Sequence, residues 1–466
     1  MADWKKVRID FPTQKLGGFI EPMKTTVSES SKPSSYTVYG VSNSEGITVT
    51  GKLASKDISN YIVLTRNCFA YNPYRINVGS IGFTQEDLNG CVSPAYVVFK
   101  TKPNLSPEFL FLYLKSEYGN HLINWFGNRG GVRNALRYDD LCNLDIPVID
   151  YNAQLKILKR IKQIQAITSK IDTELEEQKR NIVALRQQIL QDAIEGKLTP
   201  DWRKKNPALI TGENHASKLL EKIKSEKSRL IHTGAIPKEK LLASIDDIEK
   251  SFVLPVGWTW CRLGEICGFI TKGTTPPTHE LKADSDIPYL KVYNIVDQKI
   301  NFFYRPQFVS NAIHGKLSRS KVFPGDILMN IVGPPLGKVA IVPNDFPEWN
   351  INQALAIFRP VINEINAFLY TYLLVGFEIK KINTLGVVGQ DNISLTQCRN
   401  IIFPLPSLAE QVEIMKQVGI SMKTIDNLEK QAIERQSQSK MLMQSVLREA
   451  FETPVAENKH PCTKEQ

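Results

Sequence analysis

IPVIDYNAQLKILKR, residues 146 to 160, returns as FPLPSLAEQVEIMKQ at residues 403 to 417, and the offset between Pro147 and Pro404 is 257 residues. The offset holds without a gap as far as Ile189-Leu190-Gln191-Asp192-Ala193, which falls on Val446-Leu447-Arg448-Glu449-Ala450, so a tract of about fifty residues recurs as a unit. Identities are sparse, among them Gln154/Gln411, Ile157/Ile414, Lys159/Lys416 and Leu190/Leu447. In the first copy Ile157, Ile161, Ile164, Ile167, Ile171, Leu175, Ile182, Leu185 and Ile189 advance in steps of three, four or seven. Their mean period of about 3.5 to 3.6 predicts a long amphipathic or coiled-coil helix and no strand. Gly196, with Lys197 beside it and Pro200 beyond, is the expected stop, because glycine takes the left-handed cap and proline cannot continue. A helix over residues 153 to 195 is roughly 60 Å long at ~1.5 Å per residue. A single apolar stripe needs only ordinary core packing. Two copies in one chain can bury their stripes against each other, most simply antiparallel, and form a rigid spacer.

Each copy follows a segment of similar size. AYVVFKT and ALAIFRP read as strands, SPEFLFLYLKSEYGNHLINWF and NAFLYTYLLVGFEIKKI as helical runs at a similar distance behind them, and Gly, Pro, Asn and Ser punctuate between. The halves read as divergent copies of one α/β (α+β) unit. The expected division is a first globular domain at 1–146, a first helix at 147–200, a basic connecting segment at 201–252, a second globular domain at 253–402, a second helix at 403–456 and a tail at 457–466.

At 466 residues, 42% hydrophobic and 23% charged, the composition is that of a globular protein with more than one core. Lys and Arg number 58 against 48 Asp and Glu, and the net charge of +10 favours a polyanion. The seven cysteines are scattered, with no CxxC pair, and are expected to be reduced and structural. No apolar window of membrane-spanning or signal-peptide length occurs, so the expectation is a cytoplasmic protein without a membrane partner.

PLPSLAEQ (404 to 411), QQILQDAIEGKLTPDWRKKNPALITGENHASKLLEKIKSEK (187 to 227) and LPVGWTWCRLGEI (254 to 266) resemble the DNA-specificity subunits of type I restriction-modification systems. The resemblance covers nearly the whole chain as an architecture; word-level matches are confined to the helical tracts and to the opening of the second module. The first module departs from it: Ile149 stands where the second copy has Pro406, Ala153 where it has Glu410, and no LPxGW preface precedes it. The resemblance implies two target recognition domains, each reading one half of a split site in double-stranded DNA. It also implies two methyltransferase subunits and two restriction motor-nuclease subunits as partners in phage defence, with S-adenosylmethionine, ATP and Mg in those partners and no cofactor in this chain. Two readers on one face of B-DNA want half-sites about one turn apart, roughly 34 to 36 Å, a distance a helix pair can fix where a flexible linker would not.

Two other classes remain open: a fused DNA-modifying enzyme with an unrecognised site, and a coiled-coil scaffold that binds protein. Against the first, Asn72-Pro73-Tyr74 lacks the second proline of an adenine-methyltransferase motif, and no GxGxxG loop accompanies it. GPPLGKV (333 to 339) is one residue short of a P-loop and reads as a turn between strands. No catalytic residue and no metal ligand is therefore assigned. Candidate DNA contacts lie on two glycine-bearing loops at the same distance before each repeat, NRGGVRNALRYDDL (128 to 141) and TLGVVGQDNISLTQC (384 to 398). There Arg129, Arg133 and Arg137 suit guanine, and Asn134, Gln390 and Asn392 suit adenine. The plainer reading is that the glycines turn the chain and the arginines meet solvent or phosphate. FITKGTTPPT and YLKVYNIVD add Lys272, Thr274, Lys291 and Asn294, and YNPYR adds Asn72, Tyr74 and Arg75. The basic residues of 201–252 read first as a solvated helix face and second as a contact for phosphates or a partner.

Overall fold

The computed structural model of the chain describes residues 12–30, 36–43, 45–50, 57–127, 135–238, 241–376 and 392–452. They form two compact units, Met1–Glu177 with Ala432–Gln466, and Gln178–Gln431.

In the first unit, strands β1 (Thr13–Lys15), β2 (Ile20–Pro22), β3 (Thr37–Ser42), β4 (Gly46–Val49), β5 (Ile62–Leu64), β6 (Cys68–Tyr71), β7 (Ile81–Phe83), β8 (Gly90–Val92) and β9 (Val97–Thr101) lead into helices α1 (Pro107–Lys115), α2 (Glu117–Gly127) and α3 (Tyr138–Cys142). Strand β10 (Asp145–Pro147) pairs antiparallel with β1, Ile146 opposite Gln14, and delivers the chain to α4 (Tyr151–Ile194). The stretch read as one helical run is two helices. Ser116 is extended at ψ 161°, its hydroxyl donates to Tyr113 O at 2.6 Å and accepts from Gly119 N–H at 3.1 Å, so one residue ends α1 and caps α2.

The second unit begins in the connecting segment, with α5 (Pro200–Lys205) and α6 (Ala216–His232). It continues through β11 (Thr259–Arg262), α7 (Leu263–Ile266), β12 (Cys267–Lys272), β13 (Ile287–Leu290), β14 (Ile295–Val296), β15 (Lys299–Ile300), β16 (Phe308–Val309), α8 (Asn311–Lys316), β17 (Lys321–Val322), β18 (Ile327–Asn330), β19 (Val339–Ile341), β20 (Trp349–Ile351), β21 (Leu355–Pro360), α9 (Asn366–Val375), α10 (Leu395–Asn400), β22 (Ile402–Leu405) and α11 (Leu408–Glu452).

The halves share one topology. The first module holds sheets β2-β9-β6-β7 and β4-β3-β8-β5, the second β12-β21-β18-β19 and β16-β13-β20-β17. Every pairing is antiparallel except β3 with β8 and its counterpart β13 with β20. Strands β6 and β18 are buried at every residue, as expected where both faces of a sheet are covered and apolar residues need not alternate. Hairpin β14–β15 is an addition of the second module. The repeat extends past the helices. A Cβ on Gly17 would meet Cys142 Cβ at 2.9 Å, one on Gly264 would meet Arg399 Cβ at 3.2 Å, and Cys142 and Arg399 are again 257 apart.

Helix α4 ends as its sequence predicts: Gly196 has φ +70°, and Lys197 N–H donates to Asp192 O at 2.8 Å. The buried face differs from the stripe read by apolarity alone. Ile167 and Leu185 are exposed, and Thr168 is buried with its hydroxyl donating to Ile164 O and Gln165 O. Within each unit the helices pair antiparallel: Ile157, Leu158 and Ile161 share a core with Val446 in the first, and Arg186 reaches Asp426 at 2.8 Å and Glu429 at 3.2 Å in the second. No helix among the described residues is long and apolar enough to cross a membrane.

The connecting segment also departs from a merely solvated face. Ala216, Leu219 and Ile223 enter the second module's core. Buried Lys227 donates to Gly264 O and, at 2.8 Å, to Cys267 O, while Lys224 pairs with Glu265 at 2.6 Å. Arg203 donates to Gly196 O at 2.7 Å and to the Glu410 carboxylate.

Candidate nucleic-acid interface

In each module the loop leaving the all-buried strand meets the segment that enters the short helix before the repeat. In the first, Leu136 N–H donates to Pro73 O at 3.0 Å; in the second, Ile393 N–H donates to Ile331 O at 2.9 Å. Leu136 and Ile393 are 257 apart, so the modules build one junction at one place.

At the first junction the structure gathers Asn72, Tyr74, Arg75 and Arg137. Asn72 Oδ1 accepts from Tyr74 N–H at 3.0 Å, an Asx turn that shapes YNPYR, while Tyr74 and Arg75 project into solvent. Arg137 is exposed at the start of α3, its N–H held by Asp140 at 3.2 Å. Burial and neighbouring negative charge push the Tyr138 hydroxyl up, and burial does the same to the Cys142 thiol, so neither ionises at neutral pH.

At the second junction Lys272 and Asn392, 120 residues apart in sequence, line one open groove of about 520 Å³ together with Gln353 and Thr396, over a floor that includes Ile331 and Ile393. Lys272 is carried there by a close crossing, for a Cβ on Gly273 would lie 2.1 Å from Asn352 O. Thr274 lies beyond it and serves the backbone: its N–H donates to Ile351 O at 3.1 Å and its carbonyl accepts from Tyr289 Oη at 2.8 Å. Burial pushes that Tyr289 hydroxyl up to about 12. GPPLGKV is the β18–β19 hairpin turn, with Asn330 Nδ2 donating to Gly333 O and Pro335 O, and no phosphate cradle.

One candidate is corrected. Asn294 is buried at 1% exposure; its Oδ1 accepts from Lys291 N–H, and its Nδ2 faces the carbonyls of Asn301, Phe302 and Tyr304. An amide so committed organises the β14–β15 hairpin and has nothing left for a base. Lys291 is half-buried beside it. Arg129, Arg133, Asn134 and Gln390 lie outside the described residues. Gln353 was missed in the sequence; its only signal is an Asn-Gln pair at the start of the ALAIFRP strand.

The family model described as type I restriction modification DNA specificity domain matches residues 9–178 and 255–435, one block for each module with its helix. The specificity subunit of the type I restriction enzyme EcoEI of Escherichia coli is 28% identical over 278 residues, 58% of this chain and 45% of that protein. That of EcoAI, also from Escherichia coli, is 30% identical over 274 residues, 58% of this chain and 44% of that protein. The chain thus spans less than half the length of these curated relatives. Two solved structures share the fold. The HsdS subunit from Thermoanaerobacter tengcongensis superposes with a TM-score of 0.53 at 19% identity, over 96% of this chain and 98% of that one. A chain from work on assembly and conformational transition of the type I R-M system does so at 0.60 and 18%, over 96% and 98%. Because the family model covers well over half of its length, this chain belongs to the type I restriction modification DNA specificity family.

Proposed function

We propose that the chain is the sequence-reading, non-catalytic subunit of a type I restriction-modification assembly in the cytoplasm. Each module reads one half of a bipartite target in double-stranded DNA. Two methyltransferase subunits and two restriction subunits supply the chemistry together with S-adenosylmethionine, ATP and Mg. The observation that supports this most is the duplicated junction: one topology, one loop-to-helix hydrogen bond 257 residues apart, and different exposed side chains at the rim. A shared scaffold with divergent rims suits two readers of different sequences. The relatives' names and the net charge of +10 agree with it. Mapping methylated bases in a host with and without this gene tests the proposal: a two-part motif should appear only with the gene. S-adenosylmethionine binding or DNA cleavage by the purified chain alone would instead favour the fused-enzyme reading.

A further inference from the structure

The groove of the second module leaves one polar demand unmet. The backbone of Asn392 is fixed, bridged to Val332 and followed by the Ile393-to-Ile331 hydrogen bond, yet its side-chain Oδ1 is buried without a partner. Folded chains ordinarily avoid such an atom. Turning the amide over exchanges acceptor for donor and leaves the same demand. Asn392 is among the residues that line the groove, and no described residue holds its oxygen. Gln353, exposed on the same groove and held through its backbone N–H by Thr275 Oγ1 at 3.4 Å, offers a second amide. Lys272 stands at the rim with no carboxylate partner among the described residues.

An amide places an acceptor beside a donor. Adenine presents the complementary pair, N6–H₂ and N7, in the major groove, while guanine shows two acceptors there. A lysine beside such a reader suits backbone phosphate. In the first module the position 257 residues before Asn392 is Ala135, and the described rim there carries Tyr74, Arg75 and Arg137 beside Asn72. Among the described residues, an unpartnered amide at this position of the junction is therefore found in the second module. Resting on the DNA-recognition reading above, we propose that Asn392 and Gln353 are base-reading residues, that the second module's half-site contains an adenine they contact, and that Lys272 binds phosphate beside it.

The test is selection from a random double-stranded DNA pool by the full chain assembled with its coexpressed modification subunits. The unaltered assembly should return a two-part motif. Asn392→Ala should flatten the preference at one A·T position of one half-site by roughly ten-fold. Gln353→Ala should do so at that position or the next, and the other half-site should stay unchanged. Asn392→Asp, which can only accept, should move its position toward cytosine, a gain that a misfolded protein does not show. Lys272→Ala should weaken binding to every sequence and lower the slope of log affinity against log salt by about one. A motif that survives Asn392→Ala and Gln353→Ala unchanged overturns this assignment and leaves DNA recognition standing. A pool that yields no motif with the unaltered assembly overturns the recognition reading itself.

Discussion

Glu410 is wholly buried, and its carboxylate accepts hydrogen bonds from Thr199 Oγ1 at 2.8 Å, from Trp258 Nε1 at 2.8 Å and from Arg203. The first module has no such carboxylate on its helix, because Ala153 stands where Glu410 would be. Glu410→Ala should cost ~3 to 5 kcal/mol, because Arg203 keeps its charge and loses its carboxylate. Pairing Glu410→Leu with Arg203→Met should recover most of that loss, and a urea midpoint unmoved by Glu410→Ala would refute the clamp. The thiols make a second prediction. Burial raises Cys68, Cys91, Cys142 and Cys261 and pushes Cys398 up to about 12, so at pH 8 they stay protonated. Iodoacetamide at that pH should leave the four buried ones, Cys68, Cys91, Cys261 and Cys398, unlabelled in the native chain for as long as the denatured chain takes to react fully, since only the thiolate attacks. Rapid native labelling of any of them would contradict its burial.

The two long helices show how far periodicity alone reaches. Gln154, Ile161, Thr168 and Leu175 are buried at seven-residue intervals on α4, and their partners in the repeat, Gln411, Val418, Ile425 and Ala432, are buried on α11. Helix type, length, glycine stop and repeat were all legible, because each rests on local spacing. The seam itself was not, since apolarity selected Ile167 and Leu185 over Thr168 and Arg186. Buried polar residues serve there because their bonds are met: Thr168 by its own helix, and Gln154 by Ser106 N–H at 2.9 Å, Asn104 O at 3.1 Å and Ile149 O at 2.9 Å. No local pattern announces such partners. The rim sites were half legible for the same reason, since Lys272, Gln353 and Asn392 meet only through tertiary pairing. Leu175→Ala should therefore destabilise by ~2 to 5 kcal/mol, and Ile167→Ala, at 56% exposure, by no more than ~0.5 kcal/mol. Equal effects in denaturant melts would place the seam elsewhere.

At the scale of the molecule, each unit keeps its own core: residues 16 to 161 with Val446 fill one, and residues 193 to 418 fill the other, with no buried residue in common. Modules built this way can be exchanged one at a time, and the contacts at the module's edge dictate where to cut. Lys227 on α6 donates into the carbonyls of Gly264 and Cys267, and Trp258 donates to Glu410 on α11. A graft of 253–402 from a relative must therefore retain Trp258 and the Gly264–Cys267 turn, or else carry residues 216 to 402 across together. Otherwise Lys227 is left buried with its donors unmet, at a cost of ~1 to 3 kcal/mol. With either precaution, methylome mapping of the graft should show one half of the bipartite motif replaced by the donor's and the other retained. A graft without the turn should melt earlier yet, where it folds, show the same new half-motif, because Lys227 supports the reader and does not read. Replacement of both halves by a single stable graft would mean that the modules are not independent readers, whatever their shared topology.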